Sequence, residues 1–352
     1  MVSAKVRKAI SRTLAIVIAV IIIIVAIGAG LGYYYSSRTT PVTTTTTSTS
    51  TLPISTTPIT IGAVSASHPD MAAWAFMENN ISSIIKQYDP NINFEDFPAG
   101  SSAVIHAVES GTVQIGIAGT DAIVVAISQG APLVILATFR VTPAIRYVVV
   151  KSTSNITSLA QLNGTTSANS APGSLDTIAL EYLELTHHLH FKISYVGSFS
   201  AQIAAVVSGA ATFTNIGSFD APKLIENGTL RVIYNFTYAW PMFSIFTTKS
   251  FLQQNPTAVK AAVMAILKGD QIYEENLNNE TVKFLINYYK NIMEPSYAYN
   301  VLFKQVVFST NGAINATAIQ VLINTYRELG IITNTTITAN DTYTDEFVPV
   351  IT

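Results

Sequence analysis

Short turns rich in glycine, serine, threonine and aspartate follow several apolar stretches of this chain, and each turn leads into a segment with helical spacing. Two of them, 98–102 and 119–121, come first along the chain, and 170–174, 198–200 and 217–218 are their counterparts further on. Hydroxyls and free backbone amides at the start of a helix can hold a ligand, and an anion in particular. The same residue types also favour helix caps, which is the simpler interpretation of any single turn. Five turns of one kind favour a binding cleft.

The candidate ligand-binding residues come from these turns, from the turn after the first predicted strand, and from two predicted connections between halves of the fold. They are Ser65, His68, Gly100, Ser101, Ser102, Gly119, Thr120, Asp121, Arg140, Ser170, Gly173, Ser174, Ser198, Gly217, Ser218 and Trp240. Arg140 is the preferred contact for an anion because a guanidinium can grip an oxyanion through two parallel hydrogen bonds. Arg146 is the alternative, and either arginine could instead pair with a carboxylate. Trp240, with Tyr238, could wall the cleft or pack the hinge.

The sequence carries no pattern for catalysis, a metal or a cofactor. It contains no nucleophile elbow, phosphate-binding lysine loop, zinc-protease helix or paired-carboxylate motif. His187, His188 and His190 fall at the end of a predicted helix with no carboxylate at ligand spacing, so no metal site is predicted there. The absence of cysteine excludes thiol chemistry, and a net charge of −2 argues against a nucleic-acid partner. We therefore predict a binding protein that is not an enzyme.

A near-repeat indicates how these turns are positioned. The segments Ser102–Gly111 and Ser200–Gly209 agree at seven of ten places, and each then runs through a short apolar strand into another polar turn. Two copies are too few for a solenoid. They favour two similar α/β lobes that face each other across a cleft.

Strands that alternate with helices every 10 to 15 residues predict an α/β fold with mostly parallel sheets. We assign residues 59–145 and 241–352 to lobe 1, because the helical tail has no repeat partner and should pack back on the first lobe. Lobe 2 takes 146–240. The chain then crosses twice, near 142–147 and 238–242, which predicts a hinge that closes without unfolding either lobe.

The N-terminal part predicts a membrane anchor. A basic tip, 1–13, precedes the uncharged apolar run 14–35, which is long enough to span a bilayer as a helix. A cleaved secretory peptide is the alternative, although its apolar region is normally about 7–15 residues long. The linker 36–58 is rich in Ser and Thr and is predicted to be an extended stalk. Nine Asn-x-Ser/Thr sequons beyond the stalk favour an extracellular glycoprotein.

Several motifs then carry a family resemblance. The segments 97–102, 109–121, 159–164, 206–209 and 217–222, in this order and spacing, resemble extracytoplasmic substrate-binding proteins of ABC importers, of the nitrate/sulfonate/taurine and thiamine-pyrimidine type. The stretch 8–11 resembles the processed leaders of membrane-anchored archaeal sugar-binding proteins.

The resemblance implies a two-lobed periplasmic-binding-protein type II fold. It also implies capture of a small solute, sulfonate or nitrate by family inference, and delivery to a membrane permease with its ATPase. Some relatives are enzymes that make the thiamine pyrimidine and look to need cysteines, which this chain lacks. A surface-anchored sensor remains an alternative, as does an enzyme using Asp121 or Asp220.

Overall fold

The computed structural model describes residues 57–65, 69–89, 91–172, 174–217, 222–276, 279–289 and 306–351. Within these ranges no helix combines the length and the apolar character that a membrane crossing needs. The predicted basic tip, apolar run and stalk lie outside the described residues, apart from the last residues of the stalk.

The described strands and helices alternate through most of the chain. The strands are β1 (Ile59–Val64), β2 (Ile92–Phe97), β3 (Ile115–Gly119), β4 (Leu133–Arg140), β5 (Ile145–Lys151), β6 (Thr166–Asn169), β7 (Lys192–Tyr195), β8 (Phe213–Gly217), β9 (Leu230–Thr237), β10 (Phe243–Thr248), β11 (Ile314–Asn315) and β12 (Val350–Ile351). The α-helices are α1 (Ala72–Asn80), α2 (Ser82–Ile85), α3 (Ser101–Glu109), α4 (Thr120–Ser128), α5 (Leu175–His187), α6 (Phe199–Ser208), α7 (Pro222–Glu226), α8 (Lys249–Gln254), α9 (Pro256–Glu275), α10 (Asn279–Tyr288) and α11 (Ala316–Glu328).

Two five-stranded sheets form the frame of the molecule. The first has the order β2-β1-β3-β10-β4 and the second has the order β7-β6-β8-β5-β9. The chain leaves the first sheet after Arg140 and returns to it at Phe243. The two-lobed α/β architecture expected from the sequence is therefore present, while the individual lobe boundaries stay predictions.

In both sheets four of the five described strands run in the same direction, as the expectation of mostly parallel sheets requires, and one strand in each runs the opposite way. In the first sheet β10 runs antiparallel to β3 and β4, and in the second β5 runs antiparallel to β8 and β9. These are the two strands that follow a crossing between lobes. Each starts at the edge where its parallel neighbours end, so it must run in the opposite direction. Their matching positions give the two sheets the same arrangement.

The sequence repeat corresponds to a repeated helix–glycine–strand unit. Helices α3 and α6 are each followed by a glycine with positive φ, 76° at Gly111 and 83° at Gly209. Only glycine adopts this conformation without strain, and it turns the chain sharply into the next strand. Strands β3 and β8 follow, and both are almost fully buried. The repeat thus places one polar turn at the same edge of each sheet.

One helix of the C-terminal part, α9, covers part of the first sheet. Helix α9 begins at Pro256, where a proline fits the first turn, and it packs against α1, β1 and β4. Gly269 of α9 permits this close approach, because a Cβ atom there would lie 2.3 Å from Met77 Sδ. This packing buries one face of the strands whose ends carry the polar turns.

Candidate functional site

A cavity of about 540 Å³ lies where the strand ends of the two sheets meet. Val64, Gly119 and Gly217 end strands β1, β3 and β8 at its wall, and Arg146 and Phe243 lie at the starts of β5 and β10. This volume is typical of sites for small ligands, and strand ends of α/β sheets are the usual place for them.

The cavity brings together half of the residues predicted for ligand binding. Those that line it are Gly100, Ser101, Ser102, Gly119, Asp121, Ser174, Gly217 and Trp240. They come from both halves of the repeat. Lining the cavity is the observation, and their contact with a solute remains a prediction.

The other candidates lie elsewhere. The Thr120 hydroxyl is buried against Ser244 Oγ at 2.8 Å, and Ser198 caps α6 by accepting a hydrogen bond from Ala201 N at 3.2 Å. Ser65 follows β1 outside the cavity wall, and Ser170 lines a smaller neighbouring depression. His68, Gly173 and Ser218 lie outside the described residues.

Arg140, the preferred basic contact, is not in the cavity wall. Its side chain is 1% exposed and forms an ion pair with Asp70, which itself lines the cavity. Its Nε donates to Thr142 Oγ1 at 3.0 Å. Arg140 is therefore a buried residue of the first lobe near the crossing, and the carboxylate of Asp70 compensates its charge.

Arg146 is the arginine that lines the cavity. It is 5% exposed, and its Nη2 donates to the backbone oxygen and to Oδ1 of Asn215, at 3.1 and 2.7 Å. Its Nε has no hydrogen-bond partner, and no carboxylate of the described chain lies within salt-bridge distance of it. A buried charge is costly unless something pairs with it. Arg146 thus carries a buried charge that no described carboxylate pairs with, at the wall of the cavity.

The start of α3 faces the same cavity. Gly100 has φ 85°, and Ser101 and Ser102 form the first turn of the helix, where backbone amides are free. Ser101 Oγ accepts a hydrogen bond from Gly119 N at 3.0 Å, which fixes one polar turn against the next. A Cβ atom at Gly119 would lie 2.7 Å from Asp121 Oδ1, so a larger residue there would displace the Asp121 carboxylate.

Asp121 also lines the wall, and no arginine of the described ranges lies within salt-bridge distance of it. Its Oδ2 accepts a hydrogen bond from the Tyr326 hydroxyl at 2.9 Å and its Oδ1 accepts one from Ala122 N at 2.8 Å. Burial raises the pKa of Asp121, and the bond from Tyr326 lowers it by a smaller amount. Tyr326 was not identified from the sequence, because it is 205 positions away from Asp121.

Aromatic side chains line the end of the cavity near the second crossing, 238–242. Tyr238 and Trp240 stack with their centroids 4.8 Å apart, and Tyr326 meets Trp240 edge-on at 5.7 Å. The Tyr238 hydroxyl is buried and has no hydrogen-bond partner in the part of the chain that the structure describes, and burial raises its pKa far above the usual value. The pair therefore lines the cavity and packs beside the second crossing between the sheets, where the hinge is predicted.

Two of the three histidines near the end of α5 have local structural roles. His187 Nε2 is 3.0 Å from the hydroxyl of Tyr234, and His188 ends the helix with φ 54°. Across the part of the chain that the structure describes, no group of three or more acidic or histidine side chains is placed to hold a metal ion.

Two α/β lobes with a ligand-sized cavity at the facing strand ends define the periplasmic-binding-protein fold. Residues 95–280 match the model of the NMT1/THI5 like family, and this match covers more than half of the chain. The chain belongs to that family, which confirms the resemblance identified from the sequence. No curated protein matches the chain.

Solved structures share the fold at low identity. The CA3427 gene product of Candida albicans has a TM-score of 0.68 at 18% identity, over 84% of this chain and 98% of its own. The sulfonate-binding protein SsuA of Methylobacillus flagellatus has a TM-score of 0.67 at 18% identity, over 83% and 92%. The nitrate-binding protein NrtA of Synechocystis has a TM-score of 0.62 at 13% identity, over 83% and 87%. At these identities the likeness concerns the fold.

Proposed function

We propose that this protein is the solute-binding component of an ABC importer, and that it binds a small organic or inorganic anion between its lobes. The observation that carries the proposal is Arg146. Its guanidinium is buried in the cavity wall, and among the described residues its Nε has no hydrogen-bond partner and no carboxylate lies within salt-bridge distance of it. A bound anion would supply the missing negative charge and hydrogen-bond acceptors.

The rest of the cavity wall supports an anion as well. The first turn of α3 presents Ser101 and Ser102 with the positive end of the helix dipole. Ser174 lies across the cavity, immediately before α5 of the second lobe. An anion held by both lobes would stabilise a closed form, which is the state that a permease could recognise.

The fold neighbours SsuA and NrtA are named as sulfonate-binding and nitrate-binding proteins, and this agrees with sulfonates and nitrate as first candidates.

We further propose that residues 14–35 anchor the protein in the membrane, that the lobes are extracellular and glycosylated, and that the solute passes to a permease with its ATPase. The cavity has the form of a binding site, and we do not assign it a catalytic residue.

A solute panel tests this function directly. The full-length protein, kept in a mild detergent because of its apolar run, is unfolded thermally with nitrate, sulfonates, phosphate, pyrimidines, amino acids or sugars. A specific solute at about 100 times its dissociation constant should add about 2.7 kcal/mol of stability and raise Tm clearly.

The chemical fate of the solute separates the alternatives. An importer component should return the bound anion unchanged, and a solute that is consumed during incubation would indicate an enzyme. Selective binding of an uncharged sugar, with no response to any anion, would contradict the proposal.

A further inference from the structure

The two arginines beside the first crossing differ in the side chain that meets them. In the first lobe, Arg140 forms an ion pair with Asp70, and this carboxylate compensates its charge. In the second lobe, the side chain that meets Arg146 is the uncharged amide of Asn215. Arg146 Nη2 donates to Oδ1 of Asn215 at 2.7 Å and to its backbone oxygen at 3.1 Å. The hydrogen bonds of Arg146 within the described chain therefore leave its charge in place.

The amide of Asn215 is bonded on both sides. It is fully buried on β8, and its Nδ2 donates to the backbone oxygen of Asp176, in the first turn of α5, at 2.7 Å. Since the nitrogen is used by this carbonyl, the amide oxygen is the atom that faces Arg146. An aspartate has almost the same shape, but it has no N–H to donate and would place a negative charge against the guanidinium. Asparagine thus fits a contact that orients Arg146 without neutralising it.

The carboxylate of Asp176 is held by other donors. Asp176 lines the same small depression as Arg146 and Asn215, yet no ion pair of the described chain joins it to Arg146. Its Oδ2 accepts hydrogen bonds from Ser170 N at 2.6 Å and from Gln202 Nε2 at 2.9 Å, and its Oδ1 accepts one from Ser170 Oγ at 2.5 Å. These three bonds satisfy the carboxylate, so it does not need the guanidinium as a partner.

The arrangement preserves a buried positive charge at some energetic cost. A guanidinium that is removed from water is stabilised most by a carboxylate, and neutral acceptors stabilise it less. A carboxylate in the place of the Asn215 amide would stabilise Arg146 in the empty protein, but it would also cancel the attraction for an anion. The neutral amide leaves that attraction to act on the cavity that Arg146 lines.

We propose that Asn215 is a positioning residue that orients the Arg146 guanidinium at the cavity wall and keeps its charge available to the bound anion. Asn215 does not line the larger cavity, so it acts on the solute through Arg146. This inference rests on the proposed function, because it assumes that Arg146 holds an anion.

Two substitutions at position 215 separate charge from shape. Binding of ethanesulfonate to the full-length protein is measured by calorimetry, and if it does not bind, the anion of the solute panel that raises Tm most takes its place. Asn215→Asp should lower the affinity by at least about 30-fold, because its carboxylate neutralises Arg146 as Asp70 neutralises Arg140. Asn215→Ser is uncharged and keeps an acceptor, so its loss should stay within about fivefold.

A matched control makes the same exchange at an exposed position. Asn93→Asp adds a carboxylate to β2 of the first sheet, outside the cavity wall, and it should bind the anion as tightly as the unaltered protein. Thermal unfolding of each variant without the anion shows whether it is folded. Asn215→Asp should fold, because it gives a buried guanidinium a carboxylate partner.

The order of the two variants distinguishes the proposal from a purely structural role. Aspartate resembles asparagine in shape more than serine does, so a structural role would make Asn215→Ser the weaker binder, and that order would overturn the proposal. Unchanged affinity in Asn215→Asp, or an Asn215→Asp protein that does not fold, would overturn it as well while leaving the anion site in place. Failure of every anion to bind the unaltered protein would instead overturn the proposed function, and this inference with it.

Discussion

Replacement of Arg146 by methionine should reduce the affinity for the bound anion by about 30-fold or more. Removal of one partner from a buried charge pair commonly costs about 2–5 kcal/mol, and each 1.4 kcal/mol is a factor of ten in affinity. Methionine fills much of the same volume but carries neither charge nor donors. Calorimetric titration with the best anion of the panel, or with ethanesulfonate, measures the change.

Two matched variants make the Arg146 result specific. Arg146→Lys keeps the charge without the planar fork, so it should retain an intermediate affinity. Arg231→Met removes another arginine of the second lobe, one that donates to the backbone oxygens of Ser154 and Ile156 and does not line the cavity. It should bind the anion as tightly as the unaltered protein. Unchanged affinity in a folded Arg146→Met protein would show that the anion site is elsewhere.

The second large effect concerns stability and pH, and it arises at Asp270 in α9. Both carboxylate oxygens of Asp270 are buried and have no hydrogen-bond partner among the described residues, and the same holds for the hydroxyl of the neighbouring Tyr273. Burial first, and the charge of Glu274 second, raise the pKa of Asp270 well above its usual value of 3.8. Asp270 is therefore protonated in the folded protein at pH values where the unfolded chain has lost this proton.

The sign of the pH effect follows from the proton count. The folded state binds more protons than the unfolded state, so the free energy of unfolding falls as pH rises above the unfolded pKa near 3.8 and through the raised folded pKa. Asp270 alone contributes a slope of at most about 1.4 kcal/mol per pH unit. Asp121, whose pKa is raised in the same direction, adds to it.

Thermal unfolding followed by the fluorescence of Trp74 and Trp240 measures this dependence. Tm should fall as the pH rises from acidic to neutral, and Asp270→Asn should flatten the fall because asparagine has no proton to lose. A Tm that is independent of pH in the unaltered protein, or a slope that Asp270→Asn leaves unchanged, would contradict the assignment.

The features that were predictable from the sequence are those set by local pattern. The repeat at Ser102–Gly111 and Ser200–Gly209 depends on helix spacing and a glycine exit, and both are properties of neighbouring residues. The polar turns at strand ends were found for the same reason. The antiparallel direction of β5 and β10 was missed, because alternating strands and helices suggest parallel pairing unless a strand is known to enter from another lobe.

The choice between the two arginines depended on contacts that no local pattern contains. Arg140 and Arg146 both lie beside the first crossing, but only the folded chain brings Asp70, 70 positions away, onto Arg140. The contact between Tyr326 and Asp121 likewise joins residues that are far apart in the sequence. Charge compensation by distant residues therefore decides which of the candidate residues remain available to a solute.

A structure of the protein with ethanesulfonate bound tests the central claim most directly. The account predicts the sulfonate in the cavity between the two sheets, with its oxygens within hydrogen-bond distance of the Arg146 guanidinium and of the first turn of α3. A sulfonate bound at another surface, with Arg146 left without an anion, would contradict it.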